Sequence, residues 1–195
     1  MPDNATRGFG QALTEIVRRL EAAKNDGLLR GYGLIGGFAA AAWGVPRATH
    51  DIDFVLVAGS TDHRKIAEAI GAQFRAGDTG DPLRGVFHLT INTMGQPIPI
   101  QLILLPVRWT DAVFNGLQTL SILDCSVPVV SWQTLVLLKL YAGSPQDLID
   151  AEAVLAVRRP KPEEIREMTS LAGTVGVSHE LATLVRRLEH MGLST

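Results

Sequence analysis

The chain is 195 residues long, 46% hydrophobic and 19% charged, with a formal net charge of −2. That balance supplies a sizeable core, excludes a disordered polyelectrolyte, and leaves no global basic footprint for nucleic acid, although a local basic patch stays open. The length suits one domain with room for a helical annex, and the single cysteine, Cys125, excludes an intrachain disulfide and fits a reducing, cytoplasmic setting. Cys125 itself reads as a small buried hydrophobe. The first ten residues, MPDNATRGFG, are polar and lack the apolar core of a signal peptide. The longest apolar stretch, 34–43, is about half the length needed to span a bilayer, so no membrane partner is expected.

In chain order, residues 11–24 place Leu13, Ile16, Val17, Leu20 and Ala23 on one helical stripe, and Asn25-Asp26-Gly27 stops the helix. Residues 28–35 read as the first strand, ending at Gly36-Gly37. A short helix over 38–43 carries four alanines and must pack closely, and Gly44-Val45-Pro46 breaks it. Residues 49–57 read as the second strand. Ser60 or Thr61 would cap a helix running to about Gly71, with Ile66, Ala69 and Ile70 inward. Residues 77–82 are the most loop-like stretch. The runs 85–92 and 98–105, separated by TMGQP, predict a β-hairpin. A short helix follows over 109–115, then an extended segment over 120–130. Helices are predicted over 131–142, with Ser131 as cap, over 146–157, over 163–172 and over about 178–191. The division between an α/β core and a helical C-terminal region falls near Val130, giving 1–130 and 131–195 as parts of one compact unit.

The chemistry gathers in 34–56. Asp51 and Asp53 are two apart in a strand, so both carboxylates point to one face, with Cα atoms roughly 6.5 Å apart, while Ile52, Phe54 and Leu56 point to the other. Two carboxylates fixed in this way suit Mg²⁺, which takes one or two carboxylates together with substrate phosphates. Gly36-Gly37 sits where strand turns into helix, a place where backbone can approach a ligand and phosphate is favoured. Gly31, Gly33 and Gly36 formally match a dinucleotide fingerprint, with Asp53 seventeen residues on. That reading fails because a charged amphipathic helix precedes the first glycine and Gly33 lies inside a strand. His50, His63, His88, His179 and His190 show no ligand spacing and read as structural or solvated. Trp43, Trp109 and Trp132 are too dispersed for a base-stacking platform and read as core or interface residues.

The segment Ile35, Gly36, Gly37, a thirteen-residue spacer, Asp51, Ile52, Asp53 resembles the signature of the nucleotidyltransferase superfamily of the DNA polymerase beta type. The wording Arg47-Ala-Thr49-His-Asp51-Ile-Asp53 is most similar to its AbiEii-like, toxin-type branch. The resemblance implies an α/β nucleotidyltransferase fold: a small mixed β-sheet flanked by helices, plus a helical C-terminal half. It implies transfer of a nucleoside monophosphate from an NTP to a hydroxyl acceptor on protein, RNA or a small molecule. It also implies a toxin–antitoxin or phage-defence setting, with a cognate antitoxin among the partners. On the same basis Asp51 and Asp53 hold the catalytic metals, and Gly36, Gly37 and the amides after them hold the β and γ phosphates. Similar chains carry the pattern Lys139, Ala142, Asp147, Asp150, by which Lys139 reaches the triphosphate and Asp147 orients Lys139 or Arg47. Lys139 could instead run its stem along an apolar helix to water. Arg47 neutralises a phosphate or pairs with Asp150.

One position departs from the pattern. The superfamily's third acid belongs on the next inward strand, and the matching run, 97–105, offers only Gln101. Glutamine presents a neutral carbonyl oxygen and cannot act as a base. No Asp or Glu lies between Asp81 and Asp111, so a shift of a few residues does not restore a carboxylate there. Asp51, Asp53 and Gln101 are expected on adjacent strands facing the Gly36-Gly37 corner. The rival reading is a non-catalytic protein that keeps the fold to bind nucleotide, RNA or a protein partner.

Overall fold

The computed structural model describes residues 4–46, 48–58, 62–77 and 83–190. In order these form α1 (Asn4–Asn25), β1 (Gly31–Ile35), α2 (Gly36–Ala42), β2 (Ile52–Val57), α3 (His63–Ile70) and β3 (Gln73–Ala76). The hairpin strands β4 (Gly85–Thr93) and β5 (Gln96–Leu104) follow, then a 3-10 turn (Val107–Trp109) and α4 (Thr110–Phe114). The chain ends with β6 (Gln118–Ile122), β7 (Cys125–Val129), α5 (Trp132–Ala142), α6 (Pro145–Arg158), α7 (Pro162–Val175) and α8 (Ser178–His190). The seven strands make one mixed sheet in the order β3-β4-β5-β2-β1-β7-β6. β2 runs parallel to β5 and β1 parallel to β7; the other pairs are antiparallel. The fold is α/β. No helix among the described residues is long and apolar enough to cross a membrane.

One sheet face carries Tyr32, Leu34, Ile52, Phe54, Leu56, Ile100, Leu102 and Phe87, all buried. α1 covers this face with Leu13, Ile16 and Leu20, each fully buried. Each such side chain contributes about 1.5–3 kcal/mol of transfer free energy. Two long-range contacts fix the helix. The Tyr32 hydroxyl donates to Glu21 Oε1 at 2.6 Å, and Arg19 Nη1 donates to the Ile70 carbonyl at 3.0 Å, tying α1 to the end of α3. The opposite face is filled over β1. A Cβ on Gly31 would stand 2.5 Å from the Phe114 ring, and one on Gly33 would stand 2.9 Å from Leu117 and Val130. Over β4 and β5 that face stays open: His88, Thr90 and Asn92 are exposed, and Gln101 and Ile103 are half-buried.

Several boundaries move from those expected. α1 starts at Asn4 rather than near residue 11, because Gly8 is held by tertiary contact: the Thr93 hydroxyl donates to its carbonyl at 3.0 Å. Contact of that kind outweighs the roughly 1 kcal/mol helix penalty of a glycine. Asp62 caps α3, accepting from Arg64 N at 2.9 Å; Ser60 and Thr61 lie outside the described residues. β3 follows α3 directly and was not expected. The extended segment over 120–130 is two strands, β6 and β7, turned by Leu123 and Asp124 at φ 49° and 63°.

β5 carries Pro97 and Pro99 although it lies inside the sheet. Backbone groups of alternate residues point to opposite neighbours, and the Leu104 carbonyl points toward β4, where Arg84 N reaches it at 3.1 Å. Odd-numbered residues therefore point toward β2. β2 begins only at Ile52, opposite Ile100, so the missing N–H groups of Pro97 and Pro99 face a stretch with no β2 partner.

Candidate active site

β1 and β2 pair with Ile35 opposite Asp53, so the end of β1 delivers Gly36 directly to the Asp53 carboxylate. Gly36 has φ +68°, and a Cβ there would overlap Asp53 Oδ2. A Cβ on Gly37 would lie 2.7 Å from Thr49 Cβ and 2.8 Å from its Oγ1. Both glycines are thus required by close approach to the segment bearing the acids. The Thr49 hydroxyl donates to Asp51 Oδ1 at 2.9 Å, holding that carboxylate just ahead of β2. Gly31 and Gly33 lie within β1, as the rejection of the dinucleotide reading requires.

β2 and β5 pair with Asp53 opposite Gln101. Paired residues on neighbouring strands share a face, so Gln101 stands beside Asp53 on the open side of the sheet. The expected juxtaposition of Asp53 and Gln101 is present. Among the described residues no group of three or more His, Cys, Asp or Glu has the arrangement to hold a metal ion.

Lys139 is placed differently from the two acids. On the nearly all-buried α5 its ammonium pairs with Asp147 Oδ1 at 2.8 Å and Asp150 Oδ2 at 2.9 Å, both on α6. Asp147 also accepts from the Ser144 hydroxyl at 2.6 Å, and Asp150 Oδ1 accepts from Gln146 Nε2 at 3.0 Å. Burial disfavours the charged lysine, but the two carboxylates outweigh it and hold its pKa above the usual 10.5. Arg47 lies outside the described residues. His50 is exposed, and Trp43, Trp109 and Trp132 are buried in the core.

No family model and no curated protein matches the chain. Solved structures do. An antigenic nucleotidyltransferase-like protein from Paracoccidioides brasiliensis is 17% identical with a TM-score of 0.47, covering 90% of this chain and 91% of its own. The solution structure of the antibiotic-resistance factor ANT(2'')-Ia is 15% identical with a TM-score of 0.47, covering 93% and 97%. A crystal structure of ANT(2'')-Ia with adenylyl-2''-tobramycin is 17% identical with a TM-score of 0.42, covering 89% and 94%.

Gly36→Ala tests the corner. The left-handed backbone alone costs an alanine about 1–2 kcal/mol, and the new methyl must displace Asp53. Urea unfolding should show a loss at least that large. An alanine variant of unchanged stability would mean that the corner relaxes freely.

Proposed function

We propose that the protein transfers a nucleoside monophosphate from an NTP to a hydroxyl acceptor. The observation that supports this most is the Gly36–Asp53 approach: Asp53 stands on β2 with Asp51 just ahead of the strand, and a glycine corner leaves room at the Asp53 carboxylate where a side chain would close it. The donor set fits Mg²⁺, with Asp51 and Asp53 supplying hard oxygen ligands and Thr49 fixing the first. When bound, the metal neutralises and orients triphosphate oxygens, as phosphoryl transfer requires. The protein's own part is positional. Thr49 aims Asp51, Gly36 admits Asp53, and the Gly36 and Gly37 amides face the β and γ phosphates. Lys139 and Arg47 contribute cationic contacts to the nucleotide in this reading, Lys139 by giving up one of its two carboxylates. The AbiEii-like wording around Arg47 and Thr49 supports a toxin–antitoxin or phage-defence setting with a cognate antitoxin.

Gln101 favours a second reading, a nucleotide-, RNA- or protein-binding relative that has lost catalysis. The transfer reading requires nucleotide and metal at the two acids, as does a relative that only binds nucleotide; a relative that binds RNA or protein does not. At a ligand concentration about a hundred times Kd, binding to the folded state adds roughly 2.7 kcal/mol, which raises Tm by about 5–10 °C in a chain of this size. NTP with Mg²⁺ should produce such a shift in a thermal melt. Replacing both acids, Asp51→Asn with Asp53→Asn, should remove its metal-dependent part; a shift that survives moves the site elsewhere.

A further inference from the structure

The open half of the sheet carries groups that the reading above leaves unused. Asp53 is opposite Gln101, Gln101 opposite His88, and His88 opposite Gln73. Partners across strands share a face, so these four side chains form one row over β2, β5, β4 and β3. Strands lie roughly 4.8 Å apart, which puts His88 about 10 Å from Asp53 at the Cα level. Gln73, His88, Thr90, Pro99 and Gln101 line a cleft of about 430 Å³. A smaller hollow of about 190 Å³, lined in part by Arg75 and Val86, meets His88 as well. His88 is exposed, and neither it nor Gln101 makes a side-chain hydrogen bond to another described residue, so both can serve a ligand.

We propose that this cleft receives the hydroxyl acceptor and that His88 takes the proton from the attacking hydroxyl. The proposal rests on the nucleotidyl-transfer reading and deepens it. Gln101 can donate or accept a hydrogen bond but cannot take a proton. In the row, the only other titratable side chain besides Asp53 is His88, one strand beyond the amide. Gln101 holds the acceptor beside Asp53, and the His88 imidazole faces the same hydroxyl. In the reaction the acceptor oxygen bonds to the α-phosphorus, and the bond from that phosphorus to the bridging oxygen breaks. Pyrophosphate leaves with the electron pair, and the hydroxyl proton passes to His88. The floor of amides, hydroxyl and imidazole suits a polar hydroxyl compound.

The test uses the full chain, labelled NTP with Mg²⁺, and cell lysate as the acceptor source. A positioned base contributes about 10²–10⁴ in rate, so His88→Gln should lower the initial transfer rate at least a hundredfold while keeping the NTP-dependent rise in Tm. His88→Ala should regain transfer when free imidazole is added, since the cleft is open to solvent; a purely structural role would not respond. Wild-type rates in His88→Gln, or an alanine variant that imidazole does not revive, overturn the proposal. Wild-type protein that binds NTP but transfers nothing also overturns it, leaving nucleotide binding intact. Wild-type protein that shows no Tm shift removes the underlying reading instead.

Discussion

Gln101→Glu should transfer nucleotide about a hundredfold faster than wild type in a labelled-NTP assay on cell lysate, with Asp51→Asn as the blank. The expectation follows from register. Residue 101 is the strand partner of Asp53, so a carboxylate introduced there lands on the face and level of Asp53. Phosphoryl transfer depends on positioning and electrostatic stabilisation, and one well-placed electrostatic contact is worth roughly 3 kcal/mol, or about a hundredfold in rate. The half-buried side chain has room to gain water or a cation, so the added charge need not be stranded. Gln101→Asp should act in the same direction with a shorter reach. Robust wild-type transfer that neither substitution changes would mean that two acids suffice. Silence from wild type and both variants would favour the binding-only reading.

The part of the site that was legible in the sequence is the part governed by local periodicity. Asp53 alternates with Ile52 and Phe54 in β2, and a strand permits only one sorting of those residues: the acid to the open face, the hydrophobics to the core. Asp51, expected inside a strand over 49–57, lies one residue ahead of it because β2 starts at Ile52. Gln101 comes instead from the resemblance, which puts a third acid on the next inward strand, and not from periodicity. Other features depend on partners distant in the chain. The Gly36-Gly37 pair reads in sequence as a phosphate seat, whereas its closest neighbours are Asp53 and Thr49, and only the pairing of β1 with β2 shows this. β6 and β7 were read as one segment because their turn uses Leu123 and Asp124 at positive φ, without the glycine that usually marks such a bend. β3 is short, mostly exposed and without an apolar pattern, so nothing but its pairing with β4 defines it. The pairing of His88 with Gln101 is hidden in the sequence for a recoverable reason. TMGQP was read as a five-residue separator, but the turn residues are Met94 and Gly95 alone, at φ 50° and 77°. A two-residue turn there sets His88 opposite Gln101 by counting.

Lys139→Met should cost roughly 3–5 kcal/mol of unfolding free energy, as expected when one partner of a buried ion pair is removed and the other charge stays behind. The lysine side chain is 12% exposed and faces Asp147 and Asp150 at 19% and 4%, so water can do little to replace it. The cost should fall when Asp150→Leu is added, because the most deeply buried carboxylate leaves with its partner, while Asp147 at the rim keeps its hydrogen bond to Ser144. The pH dependence has a definite sign. Because the folded protein holds the pKa of Lys139 above 10.5, its contribution is fully present at neutral pH and declines only as pH rises through that raised value. Urea unfolding of wild type and Lys139→Met should therefore differ by a constant amount from pH 6 to 9, within the window set by that shift. The same pair of proteins separates the two roles open to this lysine. A Lys139→Met protein that is less stable but keeps the full Tm rise with NTP and Mg²⁺ confines Lys139 to clasping α5 against α6. A variant that also loses that rise, at a temperature where it remains folded, places the ammonium on the nucleotide and requires it to leave one of its carboxylates on binding.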